Sequence, residues 1–133
     1  MHTSYLTIFT LFLFLTMSAA TSSTWKNQLG STMELNFNDD GTLNGTYTTG
    51  VGAATTSEPL VGTWLSGEES ILVGFSVAWR HNKPGYPASL TSWTGVIQPA
   101  GHLKTTWILV SDLPDYDAWK NTNINQDFFK IVV

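Results

Sequence analysis

Hydrophobic and polar residues alternate in short runs along most of the chain, and Gly, Pro, Asn and Asp separate these runs. The runs are rich in β-branched and aromatic residues, which is typical of strands. We predict eight strands: Thr24–Gln28, Thr32–Asn38, Thr42–Thr49, Pro59–Leu65, Ile71–Arg80, Ser89–Gln98, His102–Val110 and Asp127–Val132. Because their connections are short, an all-β, antiparallel up-and-down β-barrel is expected, with a β-sandwich as the alternative. The clearest turn is Asp39–Gly41, and Asp115–Lys120 resembles a helical turn.

Two of the predicted strands place large aromatic rings and isolated hydroxyl groups on the same face. Alternate residues of a strand face opposite sides of the sheet, so Trp93 shares a face with Ser89 and Thr91, and Trp107 shares one with Thr105. A buried hydroxyl without a partner costs about 1–3 kcal/mol, so a purely structural core would be aliphatic. This pattern predicts a pocket with apolar walls and a few directed polar groups, which an eight-stranded barrel can hold.

The first 20 residues differ from the rest, because they contain no acidic residue, Lys or Arg. Tyr5–Met17 is apolar apart from scattered Thr, and small residues typical of a signal-peptidase site follow it. We predict a secretory signal peptide over residues 1–20 and a barrel domain over residues 21–133, and hence a secreted protein. The apolar run is shorter than the roughly 20 residues that span a bilayer, so no membrane segment is expected after cleavage.

Composition limits the chemistry that the chain can perform. The 133 residues include no Cys, six Trp and three His, and the formal net charge is −4. Without Cys, thiol catalysis, disulfides and cysteine-ligated zinc are excluded. His81 falls in a loop, and the strand parity of His102 is opposite to that of Trp107, so no base is expected beside the pocket hydroxyls. We therefore predict no enzyme activity, metal or cofactor, and the negative charge and scattered Lys disfavour nucleic acid as a partner.

Beyond residue 20 the chain contains seven notable segments in order: TWKNQLGS (Thr24–Ser31), DGTLNGTYTTGVG (Asp40–Gly52), GFSVAW (Gly74–Trp79), TSWTG (Thr91–Gly95), TTWILVS (Thr105–Ser111), DAWKNT (Asp117–Thr122) and QDFFK (Gln126–Lys130). In sequence, order and spacing they resemble the avidin and streptavidin family. The resemblance implies an eight-stranded up-and-down barrel that binds biotin with high affinity at one open end, without chemistry.

The resemblance also implies a polar set of biotin ligands. Asn27, Ser31 and Tyr47 match the three donors to the ureido oxygen of biotin. Asp127 and Thr49 match the groups that accept its N–H bonds. Three donors on one side and an ionised carboxylate on the other would polarise the urea.

Further positions match the walls and the mouth of the family's pocket. Trp79, Trp93 and Trp107 match the aromatic walls, and Thr91 matches the hydroxyl that reaches the thioether sulfur. The remaining predicted contacts are Leu29 and Leu109 beside the ligand, Ser89 and the backbone N–H near Ala53 at the valerate carboxylate, and Val51 and Gly52 in the loop that closes over it.

Trp119 matches the family Trp that caps the pocket of a neighbouring subunit, which favours a homotetramer over a dimer. The sequence also departs from the family pattern. Asn123 stands where the family usually has an apolar residue, Phe75 replaces a frequent Trp, and the 81–87 segment is about one residue longer than in streptavidin-like members.

The alternative is a lipocalin-like carrier of another small apolar or ring-shaped ligand. Such a carrier would also use aromatic walls. It would not require Asn27, Ser31, Tyr47 and Asp127 to converge on one polar head group. The two hypotheses therefore differ in whether these side chains meet.

Overall fold

A computed structural model describes residues 21–50, 57–80 and 84–133. The predicted signal peptide and four singled-out positions, Val51, Gly52, Ala53 and His81, lie outside the described residues. The elements follow in the order β1 (Thr21–Asn27), β2 (Thr32–Phe37), β3 (Thr42–Thr48), β4 (Glu58–Ser66), β5 (Ile71–Trp79), β6 (Ser89–Gln98), β7 (His102–Ser111), a 3₁₀ helix (Asp115–Lys120) and β8 (Thr122–Val132).

The strands form a closed barrel in which each strand is antiparallel to the next along the chain. The last strand pairs with the first, with Asn27 opposite Phe129 and Thr24 opposite Val132. Closure leaves no strand edge unpaired, which a sandwich of the same strands would not achieve. The predicted all-β, eight-stranded antiparallel barrel is therefore confirmed.

Two predicted strand limits were wrong by three residues or more, and the others agree with the structure to within one residue. β1 begins at Thr21 rather than Thr24, and β8 begins at Thr122 rather than Asp127. The first five residues of β8 are all exposed, so no apolar alternation marks them as a strand. They nevertheless pair with β7, where Thr122 lies opposite Val110, because the long preceding strand offers a backbone ladder.

The β2–β3 hairpin turns at the predicted Asp-Gly pair. Gly41 has a φ of 87°, which a side chain would disfavour, and its N–H donates to Asn38 O at 3.0 Å. Asp40 Oδ1 accepts bonds from the Thr42 hydroxyl (2.6 Å) and the Thr42 N–H (2.9 Å). These bonds, the side-chain one first, hold the pKa of the Asp40 carboxyl below its usual value of 3.8.

The two ends of the barrel differ in chemistry. The open end is the one that carries the β1–β2, β3–β4, β5–β6 and β7–β8 connections. The opposite end is called the closed end. Apolar side chains fill the closed end: Phe37, Leu43, Trp64, Ile71, Ile97 and Leu103. Trp25 is buried, and Trp64 packs its ring edge-on against Phe37 at 5.8 Å between centroids. Polar groups with binding capacity are thus left to the open end.

No helix among the described residues has the length and apolar character needed to cross a membrane.

Candidate functional site

Three buried polar side chains lie together where β1, β2 and β3 reach the open end. Asn27 ends β1, Ser31 precedes β2 and Tyr47 lies near the end of β3. The side-chain oxygen of Asn27 accepts the N–H groups of Leu29 (3.0 Å) and Ser31 (2.9 Å), which fixes the tight β1–β2 connection. With its oxygen engaged in this way, Asn27 presents its amide N–H groups as donors.

Ser31 links the connection to Tyr47. Its hydroxyl oxygen accepts the Gly50 N–H at 2.9 Å, and its side chain also hydrogen-bonds Tyr47. Burial raises the pKa of Tyr47 to about 12, the Ser31 hydrogen bond acts in the opposite direction, and the charge of Asp127 adds to the rise. Tyr47 therefore remains a neutral phenol, and a hydrogen-bond donor, at physiological pH.

Asp127 supplies a buried carboxylate on β8, with only 6% of its surface exposed. Its Oδ2 accepts the indole N–H of Trp93 at 3.2 Å, and its Oδ1 accepts the Gln28 amide N–H at 3.3 Å. Each carboxylate oxygen can accept more than one bond, so this fixed carboxylate keeps capacity for a ligand's donors. The backbone oxygen of Asp127 also accepts the Thr105 hydroxyl at 3.0 Å.

Gln28 is a site residue that the sequence pattern missed. It follows the last residue of β1, and its exposed side chain gives no signal in the alternation of polar and apolar positions. Its amide reaches β8, where it donates to Asp127 and accepts the Phe128 N–H at 3.0 Å. Only the pairing of β1 with β8 could have revealed this contact.

Aromatic rings form the wall between the two polar groups. Tyr47 stacks on Trp93, with centroids 4.9 Å apart and planes at 26°, and meets Trp79 edge-on at 5.6 Å. Phe75 stacks on the same Trp93 ring at 5.2 Å. The rings hold each other in fixed orientations, so the wall is preformed.

Thr91 and Ser89 lie along the same face of β6. The Thr91 hydroxyl oxygen accepts the Trp79 indole N–H at 2.8 Å, and the side chains of Thr91 and Trp79 are buried. An accepting hydroxyl still has its own O–H to donate. Ser89 is half-buried at the start of β6, opposite Trp79 on one side and Ser111 on the other.

Trp107 lies directly opposite Trp93 on the neighbouring strand and is half-buried. Its indole N–H is buried and has no hydrogen-bond partner within the described part of the chain. Buried donors are paired in the great majority of cases, so this N–H is available to an acceptor on a ligand. Leu109, two residues further along β7, is half-buried on the same face.

Comparison with known proteins gives the family. The Avidin family model matches residues 16–132. The chain belongs to the avidin family. Afifavidin of Afifella pfennigii is 41% identical over 97 residues, which are 68% of this chain and 57% of Afifavidin, so the match spans little more than half of that relative's length. The crystal structure of Xenavidin superposes with a TM-score of 0.69 at 28% identity, over 81% of this chain and 93% of that chain.

Some predicted positions of this avidin-family barrel are more exposed than the buried group. Leu29 is 52% exposed in the β1–β2 connection, and Thr49 is half-buried just beyond β3. Trp119, on the 3₁₀ helix, is 83% exposed and contributes nothing to the interior of its own barrel. Asn123 is exposed on β8 opposite Leu109.

The described part of the avidin-family barrel places neither a group of metal ligands nor a histidine beside the buried hydroxyls. Across residues 21–50, 57–80 and 84–133, no His, Cys, Asp and Glu side chains are grouped so that they could hold a metal ion. His102 is exposed on the outside of the barrel, as its strand parity predicted, and so lies away from the buried hydroxyls.

Proposed function

We propose that this avidin-family protein sequesters biotin at the open end of its barrel, with high affinity and without catalysis. One observation carries the proposal. Tyr47 stacks on Trp93, and the indole N–H of Trp93 donates to Asp127, so a single ring separates a cluster of donors from a buried carboxylate. A ureido group has one acceptor oxygen and two N–H donors on opposite sides, and these two clusters complement it.

The remaining walls suit the rest of the molecule. Thr91 has a free O–H on the face shared with Trp93, where it can donate to a thioether sulfur. Trp79, Trp93 and Trp107 offer flat apolar surfaces to the fused rings. Ser89, half-buried at the start of β6, is suited to a carboxylate that extends towards the mouth.

A lipocalin-like carrier of another apolar or ring-shaped ligand is less well supported. Such a ligand would leave the buried Asn27, Ser31 and Asp127 facing apolar atoms. Each unpaired buried polar group costs about 1–3 kcal/mol, and more when it is charged. Several such penalties at once would oppose binding.

We also propose that four copies assemble and that Trp119 caps the pocket of a neighbour. Trp119 is 83% exposed, and large exposed aromatic rings commonly mark interfaces. Nearby, the outer faces of β6, β7 and β8 expose apolar pairs, with Leu90 opposite Val110 and Ile108 opposite Ile124. A second copy covering this surface would bring its own Trp119 with it.

A fluorescence titration tests the binding proposal. Biotin should change the Trp emission stoichiometrically and reach an end point at one ligand per chain, because three of the six Trp line the proposed pocket. Retinol, an apolar ring-containing ligand, serves as the comparison. Saturable binding of retinol, with no response to biotin and no retention on biotin-agarose, would favour the carrier.

Light scattering on the size-fractionated protein tests the assembly. A mass of four chains is expected, with slow biotin release from the tetramer. A monomer that releases biotin equally slowly would contradict the Trp119 cap while leaving biotin binding intact.

A further inference from the structure

A groove of about 470 Å³ lies on the outer surface where β1, β8 and β7 run side by side. It is outside the barrel, and the proposed biotin site does not use its cationic side chains. The lining residues that matter here are Lys26, Gln28, His102, Lys104, Phe128 and Lys130.

Positive charge is concentrated in this groove. The chain has six Lys and Arg residues and a net charge of −4, yet Lys26, Lys104 and Lys130 all line it. Lys26 lies directly opposite Lys130 across β1 and β8, and Lys130 lies directly opposite His102 across β8 and β7. Like charges directly opposite each other destabilise a sheet, so this row carries an electrostatic cost.

Acidic side chains are scarce around the row. On β2, Glu34 lies opposite Thr24, two positions from the residue that faces Lys26, and within the described residues it forms no ion pair. The four strands β1, β6, β7 and β8 contain a single acidic residue, Asp127, which is buried inside the barrel. The ion pair formed within the described ranges joins Lys120 to Asp117, away from the groove. Lys104 instead lies 6.0 Å from the centroid of the exposed Phe128 ring, which leaves its ammonium group accessible to an anion.

We propose that this groove binds an oligophosphate, an anion of two or more linked phosphate groups. Adjacent strands are about 4.8 Å apart, so the row from Lys26 through Lys130 to His102 extends over about 10 Å. An extended chain of phosphates can span all three side chains of this row, whereas a single phosphate is shorter than the row. Lysine is a common phosphate ligand, and Gln98, which also lines the groove, adds a neutral donor.

Thermal unfolding and calorimetry of the whole protein test this proposal. Tripolyphosphate should bind saturably and raise the melting temperature, since a ligand that binds only the folded state stabilises it. Orthophosphate and NaCl at matched ionic strength should have a smaller effect without saturation. An equal effect of NaCl would mean general screening and would overturn the proposal.

Variants test whether tripolyphosphate binds in the groove. The double variant Lys26→Gln/Lys130→Gln should bind tripolyphosphate roughly ten-fold more weakly, because two ammonium contacts are lost. Without the anion it should melt at the same or a higher temperature than the parent, since the like-charge pair is removed. The control Arg80→Gln, an exposed cation at the end of β5, should bind as the parent does. Unchanged binding by the double variant would overturn the proposal.

Two further ligands define the chemistry of the anion. Tighter binding of ADP than of pyrophosphate, lost in Phe128→Ala, would support the proposal with a nucleotide as the source. Tighter binding of pyrophosphate than of ADP would support the proposal with an inorganic phosphate chain as the source. Poly-glutamate that binds more tightly than tripolyphosphate would overturn it in favour of an acidic peptide.

Discussion

The amide nitrogen of Gln28 lies 3.3 Å from a carboxylate oxygen of Asp127, although 99 positions separate the two residues in sequence. The contact occurs where the β1–β8 ladder ends, one residue beyond the pair of Asn27 and Phe129. In the same place the Gln28 side-chain oxygen accepts the Phe128 N–H at 3.0 Å, as a further ladder residue would have done. One side chain thus extends the closure of the barrel and positions the buried carboxylate.

Gln28→Leu removes both hydrogen bonds while keeping a similar volume. We expect biotin to bind more weakly by about 1–2 kcal/mol, mainly through a faster off-rate, at an unchanged stoichiometry. Gln98→Leu is the matched control, since Gln98 lines the outer groove but has no contact with Asp127. Equal off-rates in Gln28→Leu and the parent would remove Gln28 from any positioning role.

Asp127→Ala should weaken biotin binding by at least ~2 kcal/mol, because the ligand's buried N–H groups lose a charged acceptor. The variant also leaves the N–H groups of Trp93 and Gln28 without their acceptor. The off-rate of labelled biotin measures the effect, with Asp39→Ala in the exposed β2–β3 turn as the control. An unchanged off-rate would exclude Asp127 from the site.

Trp119→Lys should speed biotin release and lower the assembled mass, because the exposed ring is replaced by a charge at the proposed subunit contact. Tyr116→Lys tests whether any exposed ring on the same 3₁₀ helix has this effect, since Tyr116 is 79% exposed. Light scattering and off-rates on the same fractions provide both readings. Parent-like release from a monomeric Trp119→Lys protein would contradict the cap.

Tyr47 makes the stability of the folded state depend on pH in the alkaline range. Its pKa is about 12 in the folded state and about 10 when exposed, so the folded state holds the proton more tightly. The resulting stabilisation, roughly 2–3 kcal/mol, is fully present below pH 10 and is lost as the pH rises towards 12. Denaturant unfolding measured below pH 10 and near pH 12 should show that the free energy of unfolding falls less for Tyr47→Phe than for the parent. Tyr116→Phe, at an exposed position, is the control, and parallel losses in all three proteins would refute this effect.

Thr91→Val should show how much the contact with the thioether sulfur contributes to biotin binding. The variant removes the O–H donor and the acceptor of the Trp79 N–H at once. Comparing biotin with desthiobiotin, which lacks the sulfur, cancels the loss common to both ligands. Biotin should lose about 1 kcal/mol more than desthiobiotin. Equal losses would show that Thr91 acts only by holding Trp79.

The strand positions were predictable because alternation of polar and apolar residues is a local property. The Asp-Gly pair at residues 40 and 41 predicted a hairpin, and the parity of Trp93 and Thr91 placed both on the inner face. The start of β8 was missed because Thr122–Gln126 is exposed on both faces, so backbone pairing rather than burial holds it. The family's motifs supplied the rest of the site prediction.

The sequence by itself thus determined the class of fold, the inward faces and the candidate polar residues, since each depends on short-range periodicity or on a motif. Only the tertiary structure decided which of these side chains meet. The Trp93–Asp127 and Gln28–Asp127 bonds depend on how β1 pairs with β8 and how the strands are staggered, which no local pattern encodes. The row of Lys26, Lys130 and His102 outside the barrel is likewise a consequence of closure, because closure brings the first and last strands side by side.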